Sequence, residues 1–332
     1  MNKSLGGKCM IAVVLLALMM PVLAMAQDVV NSPYRITGET GTAHIYPTPE
    51  LSRQIRAQQA NPFLGVLTYQ GGPIMTGENL YAIFWVPPTL QNGSPTSLSA
   101  KYESVAKQLL ADYPYHGIAN NSTQYYSTPP TKYFKATGGL SAFYIDTNAY
   151  PASGCTDGVT GTNCITDAQL QAEITRVMTL KGWTPGLNKM FLVFTSMGEG
   201  SCFNSSSCAY TQYCAYHGYF GSTTTPTIYA NQPYADPSYC YYTGVQTDPS
   251  GDIPSDANVN VASHEITEAN TDPELNAWWD TANGEEIGDL CAWTFGTNSW
   301  DGGLANQMWN GHFYELQLEY DNHTSSCVQV GP

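Results

Sequence analysis

Eight cysteines, Cys155, Cys164, Cys202, Cys208, Cys214, Cys240, Cys291 and Cys327, are the strongest constraint on what this chain can fold into. An even set in an exported chain predicts up to four disulfides, with connectivity that spacing alone leaves open. No CxxC pair is present, and oxidation outside the cytoplasm competes with thiolate ligation, so a cysteine metal site is disfavoured. Export is read from residues 1–26, where Lys3 and Lys8 precede an apolar run over 10–20 and the small-residue site Ala24-Met25-Ala26 follows. Pro21 interrupts that run, which is short for a span of ~20 residues, so a cleaved signal is expected rather than an anchor. Cys9 leaves with it, the mature chain begins near Gln27, and the destination is extracellular or periplasmic.

Losing Lys3 and Lys8 takes the net charge from −15 to −17. Such a balance repels nucleic acid and anionic membrane surfaces, and both are excluded as partners. Charged residues make up only 12% of the chain, so its surface is wetted by hydroxyls and amides. Residues 27–62 are polar, carry Pro33, Pro47 and Pro49, and lack sustained periodicity, which reads as an N-terminal arm or propeptide. The remainder, 63–332, is expected to form a single domain.

Within it, residues 80–86 form an apolar strand stopped by Pro87-Pro88. Leu98, Tyr102, Val105, Ala106, Leu109, Leu110 and Tyr113 then recur at helical spacing. Residues 140–145 and 190–194 read as further strands. Between these two, Thr166 and Gln169 make a capping box that opens a helix with Leu170, Ile174, Val177 and Met178 on its core face. Alternating strands and helices predict a mixed α/β layered fold with helices covering a largely buried sheet. Residues 198–251 turn to Gly, Ser, Tyr and Cys and read as disulfide-braced loops with one short strand at 227–230. Helical character returns over 258–270, and an alternating strand pattern appears at 313–318.

The chemistry-bearing motif is His264-Glu265-Ile266-Thr267-Glu268, an HExxE on the predicted 258–270 helix. His264 and Glu268, four apart, project from one face and can hold a cation, while Glu265 stands where a metalloprotease helix keeps its general base. A carboxylate in place of the second imidazole hardens the site, which widens the choice from Zn2+ to Mn2+ or Ca2+. A third ligand is expected from Glu286, with Asp289 as the carboxylate that orients His264; the opposite assignment of these two stays open. A solvated helix face is the bland alternative, but Val259, Val261 and Ala262 are apolar and Trp278, Trp279 and Trp293 flank the second acidic cluster.

Other catalytic patterns are weaker. His217, His312 and His323 occur without a GxSxG elbow, and no carboxylate spacing singles out a glycosidase pair. Many of Tyr210, Tyr213, Tyr216, Tyr219, Tyr234, Tyr239, Tyr241 and Tyr242 are expected to pack loops poor in aliphatic residues rather than to stack on sugar.

Several stretches in order resemble the Exordium, or phosphate-induced protein, family of secreted proteins. They are Leu67-Thr68-Tyr69-Gln70-Gly71-Gly72-Pro73, Ser263-His264-Glu265-Ile266-Thr267-Glu268, Thr271-Asp272-Pro273, Trp279, Glu286-Ile287-Gly288-Asp289-Leu290-Cys291, and the run from Tyr314 to Glu319. Asp272 replaces the family's usual Asn. The resemblance implies an extracellular or wall-associated protein linked to growth, with a zincin-like metal helix at His264, Glu265 and Glu268. The sequence thus predicts a secreted zincin-like metallohydrolase, a zinc peptidase acting on extracellular peptide or protein by edge pairing with the strand at 227–230. The alternative is a non-catalytic protein with a structural metal, holding wall polysaccharide.

Overall fold

A computed structural model describes Met1 and residues 32–59, 65–115 and 117–332. The signal segment, its cleavage site and the expected boundary at residue 62 lie outside the described residues. The main sheet has seven strands: β1 (Arg35–Gly38), β2 (Gly41–Pro47), β3 (Glu78–Trp85), β4 (Gly138–Asp146), β5 (Lys189–Thr195), β6 (Tyr213–Ser222) and β7 (Thr225–Gln232). Their spatial order is β1-β2-β6-β7-β5-β3-β4. From β7 to β4 neighbours run parallel, whereas β1, β2, β6 and β7 pair antiparallel in succession. Four longer helices accompany them: α1 (Pro49–Gln58), α2 (Tyr102–Asp112), α3 (Asp167–Lys181) and α4 (Ile253–Thr271). The expected mixed α/β class is therefore observed.

Both faces of the sheet are covered, which is why β5 is apolar without alternation. The start of α3 marks one face: Tyr216 of β6 and Tyr229 of β7 each donate to Asp167 Oδ1 at 2.7 Å. Successive strand residues point oppositely, so His217 emerges on the other face, under α4. The capping box of α3 forms as expected, with Gln169 N donating to Thr166 Oγ1 at 3.3 Å and Thr166 N donating to Gln169 Oε1 at 2.9 Å. Gly182, at φ 68°, ends the helix in the left-handed conformation that glycine tolerates.

The helix expected over 258–270 is longer, with Pro254 in its first turn, and every residue from 255 to 271 is buried. Some of its polar side chains find partners inside the protein. Asn260 donates to the Tyr46 hydroxyl at 3.2 Å and accepts from Gln317 N at 2.7 Å, and Asn270 donates to Glu78 Oε2 at 2.7 Å. Burial pushes the Glu78 carboxyl from 4.5 up to about 8. A raised acid contributes stability that is full below its unfolded value and is lost as pH rises toward 8, at up to about 1.4 kcal/mol per pH unit. Glu78→Gln should therefore shrink the fall in melting temperature between pH 5 and pH 8; an equal fall in both proteins would contradict this.

Four expectations differ from the structure. Residues 198–251, read as loops, contain β6, β7 and the shorter strands Gly200–Asn204 and Ser207–Cys208. Strand β7 includes the predicted 227–230 segment but lies between β6 and β5, so it has no free edge for a peptide. The alternating run at 313–318 pairs only over His312–Tyr314, in a two-stranded ribbon. Residues 35–47, read as part of a separate arm, supply β1 and β2 to the sheet. The disulfides join Cys155 to Cys164, Cys202 to Cys208, Cys214 to Cys240 and Cys291 to Cys327. Tyr210, Tyr213, Tyr216 and Tyr234 are buried, as the packing role expected of them requires. Among the described residues no helix is long and apolar enough to cross a membrane.

Candidate metal centre

Three elements meet on the α4 face of the sheet. The first is a cross-strand pair: His44 of β2 and His217 of β6 are register partners, so both rings leave the sheet on the same side, with centroids 5.9 Å apart. The second is α4, whose helical spacing puts His264 and Glu268 on one face beside Glu265. The third is the segment carrying Glu286 and Asp289, which is held by the Cys291–Cys327 disulfide and by Tyr320 N donating to Ile287 O at 3.1 Å. Gly288 is needed there for space. A Cβ at that position would stand 2.5 Å from His264 Nδ1 and 3.0 Å from Glu268 Oε1.

The resulting contacts are short. His44 Nε2 lies 2.5 Å from Asp289 Oδ2, and its Nδ1 lies 3.1 Å from Glu286 Oε1. His264 Nε2 is 3.0 Å from Glu268 Oε2 and 3.9 Å from Asp289 Oδ1. His217 Nδ1 faces Glu265 Oε2 at 3.2 Å and Glu268 Oε2 at 3.6 Å, while its Nε2 is 3.7 Å from Glu286 Oε2. Tyr46 stacks on His264 at 3.9 Å and on Trp293 at 4.5 Å, walling the cluster with aromatic rings.

All five residues singled out by sequence, His264, Glu265, Glu268, Glu286 and Asp289, come together here. His44 and His217 were not anticipated as members. Their signal was scarcity: of only six histidines in the chain, three converge on this point. The support for His264 also differs from expectation. Asp289 turns Oδ2 to His44, and the group against His264 Nδ1 is the Gln317 amide nitrogen, 3.0 Å away, which also donates to Gly288 O at 3.0 Å.

The electrostatics are those of a cluster short of positive charge. These seven side chains are at most 1% exposed. Arg35 and Arg56 act on it only through space, since their guanidinium groups donate to the carbonyls of Leu275 and Ala292. Burial holds all three imidazoles well below their ordinary value. Burial and the charge of neighbouring carboxylates push Glu265, Glu268 and Glu286 far up, and burial does the same to Asp289. Many donor atoms lack hydrogen bonds, among them His217 Nε2, His264 Nε2, Glu265 Oε1, both oxygens of Glu268 and Glu286, and Asp289 Oδ1. Buried polar atoms left unpaired cost about 1–3 kcal/mol each, more if charged, so the protein alone does not satisfy this site.

A divalent cation fits what is missing. Two donor triples, His44 with Glu268 and Asp289, and His217 with Glu268 and Glu286, each bring their ligand atoms within 4.8 Å of one another. The third such group, Cys155, Cys164 and Cys202, consists of sulfurs already engaged in disulfides. A cleft of about 720 Å3 has Arg35, Thr42, Tyr219, Phe220 and Leu275 in its lining and none of the seven cluster residues. Arg35 in that lining is the register partner of His44.

The chain is similar to a plant Exordium protein. Over 83 residues it is 36% identical to Protein EXORDIUM-like 3 of Arabidopsis thaliana, a match that covers 24% of each chain. No family model matches the chain, and no solved structure does. Four disulfides and an Exordium-like relative are both consistent with an extracellular protein.

Proposed function

We propose that this is an exported, Exordium-related metalloprotein of zincin-like design whose activity is metal-dependent hydrolysis of extracellular peptide or protein. Three imidazoles among the donors favour Zn2+ or Mn2+ over Ca2+, which prefers an all-oxygen shell. His264, Glu268 and one of Glu286 and Asp289 are the ligands expected from sequence; His44 and His217 join Glu268, Glu286 and Asp289 in the donor triples, and His264 stands beside them outside both. A dication at such a centre supplies a Lewis acid that polarises a carbonyl and acidifies water.

The observation that carries hydrolysis is Glu265. Like His264 it belongs to neither donor triple, but it is a carboxylate, fully buried beside them with Oε1 unpartnered. A purely structural centre gains nothing from an extra buried carboxylate, whereas a general base needs one. Glu265 takes the proton of the attacking water at Oε1 and delivers it to the leaving nitrogen. His217 Nδ1, 3.2 Å from Oε2, fixes the carboxylate while it does so. Substrate is received in the cleft at Arg35, whose guanidinium suits a substrate carboxylate.

One observation favours a second reading. Every donor is sealed from solvent, as in closed structural metal sites. Under that reading the protein is non-catalytic and holds wall polysaccharide elsewhere on its surface. Glu265→Gln separates the two: hydrolysis of a peptide library should fall at least about a hundredfold, the range of general-base loss, with metal content unchanged. Hydrolysis absent from the wild type, with metal bound, would leave the structural reading.

A further inference from the structure

We propose that the centre is built for two divalent cations bridged by the Glu268 carboxylate, an inference that rests on the metal-binding reading above. The donors divide rather than pool. One triple takes His44 and Asp289, the other takes His217 and Glu286, and Glu268 is the member common to both, with His264 outside the two triples and its Nε2 3.0 Å from Glu268 Oε2. Both oxygens of Glu268 are buried and lack hydrogen bonds, as a bridging carboxylate leaves them before ions bind.

Glu286 repeats the pattern. Its Oε1 lies 3.1 Å from His44 Nδ1 and its Oε2 lies 3.7 Å from His217 Nε2, so one carboxylate spans the two imidazoles. The rings themselves are 5.9 Å apart, centroid to centroid, because a strand pair sets their spacing. That leaves one ring for each of two ions at the ~3.5–4 Å separation usual in two-metal sites. Charge points the same way. Glu265, Glu268, Glu286 and Asp289 offer four negative charges at essentially zero exposure, and among the described residues no lysine or arginine forms an ion pair with them. One dication offsets half of that charge, and two offset all of it.

The test uses the full mature protein, stripped with chelator, reloaded with Mn2+ and freed of excess ion. Elemental analysis should find two manganese per chain, and electron paramagnetic resonance should show an exchange-coupled pair. His44→Ala and His217→Ala should each retain one ion and give the spectrum of an isolated Mn2+. A single ion in the wild type with an isolated-ion spectrum would overturn the bridge and leave the metal-binding reading intact, and two uncoupled ions would also overturn it. Retention of no manganese would overturn both. The wild-type count and spectrum decide the matter even if a histidine variant fails to fold.

Discussion

Chelating the divalent ion from the mature protein at neutral pH should lower its melting temperature by about 8–16 °C, and returning the ion should restore it. The size follows from linkage: free ion at a thousandfold over Kd stabilises the folded state by about 4 kcal/mol, and each kcal/mol moves a domain of this size by about 2–4 °C. Its structural cause is the set of buried donors with no hydrogen-bond partner around His44, His217 and His264. With the cation gone, burial keeps the imidazoles neutral and drives the carboxyls of Glu268, Glu286 and Asp289 toward their protonated forms. Release should therefore be accompanied by proton uptake, measurable as a buffer-dependent heat in calorimetry. A melting temperature insensitive to chelator would mean that the cluster is satisfied by its own protons.

Replacing Cys291 and Cys327 together by serine should cost about 4 kcal/mol, against about 2 kcal/mol for Cys202 and Cys208, if loop closure in the unfolded chain dominates. The bridges span 36 and 6 residues respectively. Denaturant midpoints of the two double variants measure the difference. The larger effect should come with weaker metal binding, because Cys291 anchors the segment that presents Glu286 and Asp289. Equal losses in the two variants would argue that strain or local contacts outweigh loop entropy.

The parts of the fold legible in the sequence were those with a single dominant period or a cap. The Thr166 and Gln169 box, the apolar strands around Leu80 and Met190, and the helix bearing HExxE all belong to this class. Strands β2 and β6 were missed for a physical reason. Both are buried on two faces by unlike neighbours, so Tyr216 serves α3, His217 serves the buried imidazole and carboxylate cluster, and no polar and apolar alternation survives. Glycine, tyrosine and cysteine then give a loop-like texture to what is an interior strand.

The candidate site was half legible for a related reason. The HExxE helix carries its own spacing, so His264 and Glu268 could be placed on one face, with Glu265 next to them, from local geometry alone. Glu286 and Asp289 were found because acidic residues clustered beside tryptophans stand out in a chain with few charges. His44 and His217 become neighbours only through the register between β2 and β6, and no local spacing encodes a register between distant strands. Gln317 was invisible because nothing local marks a side chain that acts by leaning on a histidine.

The central claim is that this buried cluster exists to bind a cation, and Glu268 is the residue common to both donor triples. Elemental analysis of purified mature protein beside a folded Glu268→Ala variant tests it most directly. The account predicts bound divalent metal in the wild type and its loss from the variant. Metal-free wild-type protein, or equal metal in the two, would contradict it.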